Sequence, residues 1–372
     1  MKTVLDKIFI IFLAFVLVFF GAWIYIAPKK AISEKENKIL ADFPKVSIDS
    51  VMNGSFAKGI GEFYKDRFPI REALTSLKCR TEILCGRGEN NGVIVGEGGY
   101  LIMRPYYESL DLYCQNLYEI ERFCESVDVD TAVLFAPRAI DVLNDALPSG
   151  YPKDLSLYEI ANSHSVEIMN VNERITDAAK DGEYVWFKTD HHWTSRGAYI
   201  AYKAICERFG NIPLDDSAFV SEWIEGAFYG TTASRFAADV TSADRVELKR
   251  YEGDNDLLIV DYDTWKISES LYDYEYADKK DKYSVFLGGN HGHVGIYGEG
   301  EKRETLFVIK DSFANSVIPY LACHYDLEIY DLRYFKGNIN DEISAISPDK
   351  ILLLYGIDTV ATDSCFKYLN KK

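Results

Sequence analysis

One carboxylate and two imidazoles lie side by side in the string Thr189-Asp190-His191-His192-Trp193-Thr194. A carboxylate two residues before a histidine can orient the imidazole and stabilise its protonated form, as a general base that activates a hydroxyl requires. Thr194 is a suitable helix N-cap, because apolar residues follow it at helical spacing. The string is therefore predicted to lie in a strand-to-helix loop, where catalytic residues are commonly displayed.

The best candidate nucleophile for such a base lies far downstream, at Ser312. Residues 306–310 are typical of a short buried strand, Asp311-Ser312-Phe313 follows at once, and apolar residues at helical spacing come next. A serine in a tight turn between strand and helix is the arrangement of a nucleophile elbow, although the glycines of the G-x-S-x-G form are absent. Ser312, His192 and Asp190 would form a triad, because triads are defined by geometry rather than by chain order.

The same residues also have explanations that involve no catalysis. An Asp-x-His pair in a loop is often a cap with one hydrogen bond, and Ser312 after a strand is a common helix N-cap. We assign no chemistry to His191. His291 and His293 would suggest a metal site with His191, but the chain has 6 histidines and no H-E-x-x-H motif. We therefore expect no metal and no other cofactor.

The segment Asp190-His191-His192-Trp193-Thr194, followed by Gly197-Ala198-Tyr199, resembles the signature of the DHHW family. That family is similar to the SGNH-hydrolase-like domains of alginate O-acetyltransferases. In those proteins the acid and the base share a D-x-H motif that precedes the nucleophilic serine, in a circularly permuted order. The resemblance implies Asp190 as the orienting acid, His192 as the base and Ser312 as the nucleophile.

Three further stretches fit the pattern of the family: Gly92-Val93-Ile94-Val95-Gly96, Ala136-Pro137-Arg138 and Phe228-Tyr229-Gly230-Thr231. We expect Arg138, Tyr229 and Trp193 to line the substrate pocket, with Trp193 as a wall rather than a platform for sugar. SGNH enzymes use a glycine and an asparagine as oxyanion donors, and residues 286–290 lead into such a pair. Gly289 and Asn290, with the N–H of Ser312, are therefore the expected oxyanion hole.

Composition excludes some classes of function. The chain has 372 residues, 48% of them hydrophobic, which is enough for a sizeable core. The net charge of −17, from 58 acidic and 41 basic residues, argues against a nucleic-acid partner and, less strongly, against an anionic polymer. Seven cysteines leave at least one unpaired within the chain. Cys79 with Cys85 and Cys114 with Cys124 could pair, and the sequence leaves this open.

The N-terminal region differs from the rest of the chain. Ile8 to Ile26 is an apolar run of about 19 residues, long enough to cross a bilayer. No convincing cleavage site follows, so an uncleaved anchor is favoured over a signal peptide. Lysines flank the run on both sides and do not settle its orientation, but the resemblance implies that the main domain is extracytoplasmic.

The chain is predicted to have three consecutive parts. Residues 1–30 form a membrane anchor, 31–90 a helical stem or packed helical layer, and 91–372 the catalytic domain. An irregular insertion is predicted within this domain, at about 215–300. The pattern predicts a hairpin at 92–102, helices at 106–126 and 172–179, and strands at 130–136, 166–171, 184–187, 306–310, 327–332 and 351–354.

Strands that alternate with helices indicate an α/β fold with a mostly parallel sheet and helices on both faces. This fits an SGNH-hydrolase-like three-layer fold, preceded by an N-terminal transmembrane helix. Active sites in such sheets lie beyond the carboxyl ends of the strands, where Asp190 and Ser312 could meet.

The expected function is that of a membrane-anchored extracytoplasmic serine O-acyltransferase. It would acetylate a cell-surface or secreted polysaccharide through an acyl-enzyme on Ser312. The resemblance implies a multi-spanning membrane O-acyltransferase as the source of acetyl groups. Two alternatives stay open: an esterase that removes acetyl groups with the same triad, and a non-catalytic glycan-binding surface protein that uses the 14% aromatic content.

Overall fold

The computed structural model of the protein describes residues 2–26, 30–33, 38–107, 109–151, 156–299 and 303–371. The chain divides into two units. Unit 1 consists of residues 1–91 together with 233–240, and unit 2 consists of residues 92–232 and 241–372.

Unit 1 is dominated by helices. Its elements are α1 (Lys2–Ile26), β1 (Ile32–Ser33), β2 (Lys38–Ile39), α2 (Ile48–Met52), α3 (Ser55–Arg67), α4 (Arg71–Leu84) and β3 (Glu89–Asn90). Helix α1 contains a 21-residue apolar stretch, Val4–Ile24, that is long enough to cross a membrane. Pro69 lies between α3 and α4, where a residue without a backbone N–H interrupts helical hydrogen bonding. The anchor and stem assigned to these residues stay predictions.

Unit 2 contains most of the strands. They are β4 (Val93–Val95), β5 (Leu101–Met103), β6 (Asp130–Ala136), β7 (Ile168–Met169), β8 (Val220–Trp223), β9 (Glu247–Arg250), β10 (Leu257–Asp261), β11 (Lys266–Ser268), β12 (His293–Gly298), β13 (Glu304–Lys310), β14 (Tyr325–Tyr330) and β15 (Lys350–Gly356). The helices are α5 (Asp111–Ser126), α6 (Ala139–Val142), α7 (Ser156–Ala161), α8 (Asn172–Lys180), α9 (Ser195–Phe209), α10 (Thr231–Phe236, which continues into unit 1), α11 (Ile318–Leu321), α12 (Ile339–Ile346) and α13 (Ile357–Thr362).

Eight of these strands form one sheet in the order β11-β10-β12-β14-β13-β15-β6-β7. The five strands from β14 to β7 are parallel, and β12, β10 and β11 continue the sheet in antiparallel pairing. The mixed α/β fold with a largely parallel sheet is therefore confirmed. Strands β10, β11 and β12 of this sheet come from the segment 215–300, and turns separate them. The assignment of this segment as an insertion stays a prediction.

The parallel strands are buried on both faces. Along β6, Ala132 and Leu134 face one apolar core, while Val133 and Phe135 face the other. The first core packs against α8, α9 and α11, and the second packs against α5, α7, α12 and α13. Two helical layers on one sheet give the predicted three-layer arrangement, because alternate residues of a strand point to opposite faces.

Two local predictions differ from the structure. Residues 184–187 form no strand; Trp186 makes only an isolated bridge with Trp193. The helix expected after Ser312 begins as a 3-10 turn, Ser312–Ser316, before α11. Thr194 is the N-cap of α9, as predicted, and its hydroxyl accepts the N–H of Gly197. All seven cysteines are free thiols, so neither possible pair forms a disulfide.

Candidate active site

Ser312, His192 and Asp190 form a continuous chain of hydrogen bonds. The Nε2 atom of His192 lies 2.8 Å from the hydroxyl oxygen of Ser312, although the two residues are 120 positions apart. The Nδ1 atom of His192 lies 2.6 Å from Oδ1 of Asp190. Asp190 and His192 are buried, whereas Ser312 is partly exposed. A carboxylate, an imidazole and a hydroxyl in this order can transfer a proton from the hydroxyl to the ring.

The serine turn, residues 311–316, is positioned by the parallel sheet. Ser312 lies two residues after the end of β13, and Oδ1 of Asp311, which comes between, accepts the N–H of Phe313 at 2.9 Å. Oδ2 of Asp311 accepts the N–H of Gly356 at 2.8 Å and the hydroxyl of Thr359 at 2.6 Å. Because Gly356 ends the neighbouring strand β15, Asp311 joins the serine turn to the carboxyl edge of the sheet. Sequence reasoning did not assign this role to Asp311.

The histidine loop, residues 188–193, is positioned by side chains instead. The buried carboxylate of Asp244 accepts the N–H of Lys188 at 3.0 Å, the N–H of Thr189 at 2.8 Å and the hydroxyl of Thr189 at 2.5 Å. The hydroxyl of Tyr184 donates to the same carboxylate. Burial raises the pKa of Asp244 above its ordinary value. Asp244 thus supplies the acceptors that a neighbouring strand would have supplied.

A second segment holds Asp190 in place. Its Oδ2 atom accepts the N–H of Thr231 at 2.8 Å and the hydroxyl of Thr231 at 3.0 Å. A Cβ atom at Gly230 would lie within 2.6 Å of the carboxyl carbon of Asp190, so glycine is required for this approach. The resemblance had pointed to residues 228–231, but not to this contact. Tyr229, in the same segment, is partly exposed, and its role at the substrate stays a prediction.

Aromatic rings enclose the imidazole of His192. Tyr283 stacks on it, with ring centroids 3.8 Å apart, and its hydroxyl donates to the carbonyl oxygen of Ser312 at 3.0 Å. The ring of Phe313 lies edge-on at 5.0 Å. Sequence reasoning missed Tyr283, because no local pattern distinguishes it from the many other tyrosines in residues 215–300.

Trp193 is not a wall of the substrate pocket. Its side chain is fully buried, and the indole N–H lies 3.0 Å from both the carbonyl oxygen of Phe313 and the hydroxyl oxygen of Ser316. The prediction was wrong because a buried indole needs a hydrogen-bond acceptor, and here the serine turn supplies it. Trp193 therefore connects the histidine loop to the serine turn.

The protonation states suit proton transfer. Burial alone would raise the pKa of Asp190, but His191 and His192 hold it well below its ordinary value. Burial lowers the pKa of His192, and the neighbouring His191 lowers it further, against the opposing effect of Asp190. An ionised Asp190 beside a neutral His192 leaves Nε2 able to accept a proton. Burial would lower the pKa of His191, but Asp190 raises it above its ordinary value.

The expected oxyanion donors are only partly available. The N–H of Gly289 donates to the carbonyl oxygen of Phe286 at 3.2 Å, so Gly289 does not offer a free donor. Oδ1 of Asn290 accepts from Lys310 at 3.1 Å and from Asn315 at 3.2 Å, which fixes its carboxamide. Within the described residues, the N–H of Ser312 donates to no other protein group. The oxyanion roles of Ser312 and Asn290 stay predictions.

Lys310 was not singled out in the sequence. Its side chain is buried two residues before Ser312, and its amine donates to Oδ1 of Asn315 at 2.7 Å as well as to Asn290. Burial lowers the pKa of Lys310 to about 8. A buried lysine in this position fixes two carboxamides beside the serine turn.

Arg138 follows β6 at the same edge of the sheet. Its guanidinium donates twice to Asp141, at 2.8 and 2.7 Å, and once to the hydroxyl of Tyr107 at 3.1 Å. The positive charge is therefore compensated by a carboxylate, and a contact of Arg138 with substrate stays a prediction.

Two groups of side chains have the spacing of metal ligands. Ligand atoms of Asp190, His191 and His192 lie within 4.8 Å of one another, and so do those of Asp261, Asp263 and His291. The first group already makes the hydrogen bonds described above, and the second lies closer to solvent.

The sheet order, the two helical layers and the N-terminal apolar helix define the class of this protein: an SGNH-hydrolase-like α/β protein preceded by a candidate membrane helix. Residues 158–332 match the family described as DHHW protein, which confirms the expected resemblance. A DHHW family protein from Eubacterium siraeum has the same fold, with a TM-score of 0.63, 24% identity, and coverage of 76% of this chain and 96% of that chain.

Two other proteins are similar. PatB1 from Bacillus cereus, solved with a sulfonyl adduct, has a TM-score of 0.61 and 19% identity over 75% of this chain and 99% of that chain. The probable alginate O-acetylase AlgJ of Azotobacter vinelandii is 24% identical over 206 residues. These are 50% of this chain and 52% of AlgJ, so the chain spans about half the length of this curated relative.

Proposed function

We propose that this protein is a serine O-acyltransferase that acetylates a polysaccharide outside the cytoplasm, anchored in the membrane by α1. The observation that carries the proposal is the hydrogen-bonded series from Asp190 through His192 to the hydroxyl of Ser312. The relative from Azotobacter is named a probable alginate O-acetylase, which supports acetyl transfer to a glycan hydroxyl.

The reaction would proceed in two steps. The hydroxyl of Ser312 gives its proton to Nε2 of His192 while its oxygen attacks the carbonyl carbon of the acyl donor, and the same proton then passes to the leaving group. In the second step a sugar hydroxyl gives its proton to His192 and attacks the ester carbon. Ser312 leaves as the alcohol after His192 returns the proton. Asp190 stabilises the imidazolium that forms in both steps.

The domain roles belong to the same proposal. Residues 31–90 would connect the anchor to the catalytic domain at 91–372, and a multi-spanning membrane O-acyltransferase would supply the acetyl groups. The apolar stretch Val4–Ile24 supports the anchor.

Ser312→Ala tests the proposal directly. The full chain in detergent micelles is mixed with 4-nitrophenyl acetate and, separately, with phenylmethylsulfonyl fluoride. We expect wild type to release a burst of nitrophenol and to gain a sulfonyl group on Ser312. Ser312→Ala should lose both, with turnover lower by about 10³-fold or more. Ser344→Ala, an exposed serine on α12, should behave as wild type. A burst that persists in Ser312→Ala would overturn the proposal.

An acetyl esterase is the second candidate, because Ser312 is partly exposed and water can reach an ester formed on it. Product analysis separates the two functions. Acetylated oligosaccharide in place of free acetate indicates the transferase, whereas free acetate with every acceptor indicates the esterase. No turnover from wild type would favour the non-catalytic glycan-binding protein.

A further inference from the structure

A cleft lined by neither Ser312 nor His192 lies beside Phe187 and Thr194, which flank the histidine loop in the chain. It has a volume of about 380 Å³ and opens between the ribbon of β8 and β9 and the start of α9. Trp223 on β8 pairs with Glu247 on β9, and both line the cleft. Glu183 and Arg196 line the opposite side. The volume is within the range of pockets that hold small ligands.

The lining combines an aromatic surface with hydrogen-bonding groups. Trp223 is 44% exposed, and the guanidinium of Arg245 lies 4.9 Å from the centroid of its ring. In the part of the chain that the structure describes, Arg245 forms no ion pair, so its donors can turn to a ligand. Arg196 binds both carboxylate oxygens of Glu183 on one side of the cleft. The carboxylate of Glu247, on the other side, accepts from Ser221 and pairs with Lys249, and its remaining lone pairs can accept from a ligand. An exposed indole beside guanidinium donors and carboxylate acceptors suits a pyranose ring, which has apolar faces and a rim of hydroxyls.

The cleft is connected to the catalytic residues through packed rings. Phe187 lines the cleft, and its centroid lies 6.3 Å from that of Tyr283, which stacks on His192. Two packed rings thus connect the cleft to the imidazole. Because neither His192 nor Ser312 lines the cleft, a sugar bound there would be a residue of the acceptor chain other than the one that reacts.

We propose that this cleft is a glycan subsite that binds a pyranose residue of the acceptor polymer through Trp223 and Arg245, away from the residue that is acylated. The inference rests on the proposed function, because it assumes a glycan as acceptor. It assigns substrate binding to Trp223 rather than to Trp193, the tryptophan of the motif, which is buried.

The test is a binding titration followed by tryptophan fluorescence. The probes are cellopentaose, chitopentaose and a mannuronate pentamer, added to the full chain in micelles. We expect at least one pentamer to bind wild type, and Trp223→Ala and Arg245→Ala each to weaken that binding by about tenfold. Trp265→Ala, which removes an exposed tryptophan on the turn between β10 and β11, should bind as wild type. Calorimetry repeats the titration of Trp223→Ala, because that variant lacks the reporting indole.

Failure of the subsite and failure of the proposed function give different results. Ser312→Ala should bind the pentamer as wild type does and lose only ester turnover, whereas Trp223→Ala should lose binding of the pentamer. The subsite is overturned if none of the three pentamers binds, or if binding is the same in Trp223→Ala. With either result, a burst of nitrophenol from wild type would still support the proposed function.

Discussion

The serine turn and the histidine loop carry the two halves of one hydrogen-bonded series, but they take their positions from different kinds of structure. Ser312 lies at the end of β13, between two parallel neighbours, and Asp311 bonds it to the end of β15. His192 follows residues that form no strand, and its loop depends on Asp244 and Thr231. The nucleophile thus follows a strand that is paired with a neighbour on each side, whereas the base lies in a loop outside the sheet that buried carboxylates hold.

This difference shows where the site should tolerate change. Backbone pairing in a sheet does not depend on any single side chain, so the serine turn should lose less position than the histidine loop when one side chain is altered. The histidine loop relies on a few buried acceptors and one close glycine contact, and the loss of any of them leaves donors without partners. Three substitutions test this comparison.

Gly230→Ala should have the largest effect. Its Cβ atom would meet the carboxylate of Asp190, which must move and lose its bonds with Thr231. We expect turnover of 4-nitrophenyl acetate to fall by about 100-fold, as displacements of about 1 Å at a catalytic group do. The control is Gly61→Ala in α3, where no atom lies within 4 Å of the added methyl and turnover should be unchanged. Turnover within twofold of wild type in Gly230→Ala would show that residues 228–231 do not position the acid.

Asp311→Asn should lower turnover less than Gly230→Ala does, and its main effect should be on the free energy of unfolding. Either orientation of the new amide places an NH₂ group against the N–H of Phe313 or that of Gly356. We expect the free energy of unfolding to fall by about 1–3 kcal/mol, measured by denaturant titration. Asp349→Asn is the matched control, because this exposed carboxylate accepts the N–H of Thr305 at the opposite end of β13. An unchanged denaturation midpoint in Asp311→Asn would mean that the sheet alone holds the serine turn.

His191→Gln should have the smallest effect on turnover, and its main effect should be on the pH dependence. The pKa of His192 is lowered first by burial and then by His191, so removal of the second imidazole should raise that pKa. His192 must be neutral to accept a proton, and therefore the acidic limb of kcat/KM for the ester should move to higher pH. His164→Gln, which replaces a histidine paired with Glu121, should leave the profile unchanged. A limb that stays in place or moves to lower pH contradicts the assigned influence of His191.

Features that depend on neighbours in the chain could be predicted from the amino-acid sequence. The buried strands β6 and β13, the N-cap at Thr194 and the D-x-H pair are local patterns, because short apolar runs and capping operate over a few residues. The same patterns, with the resemblance, indicated Ser312, His192 and Asp190 as partners.

Contacts between distant segments became known from the fold. It placed the hydroxyl of Ser312 against His192, made Asp244 and Thr231 the supports of the histidine loop, and joined the N–H of Gly289 to Phe286. It also buried Trp193 and left Trp223 in a cleft. The physical reason is that segments far apart in the sequence must come together before a side chain is buried or finds its hydrogen-bond partner. The local spacing of residue types does not show which segments come together.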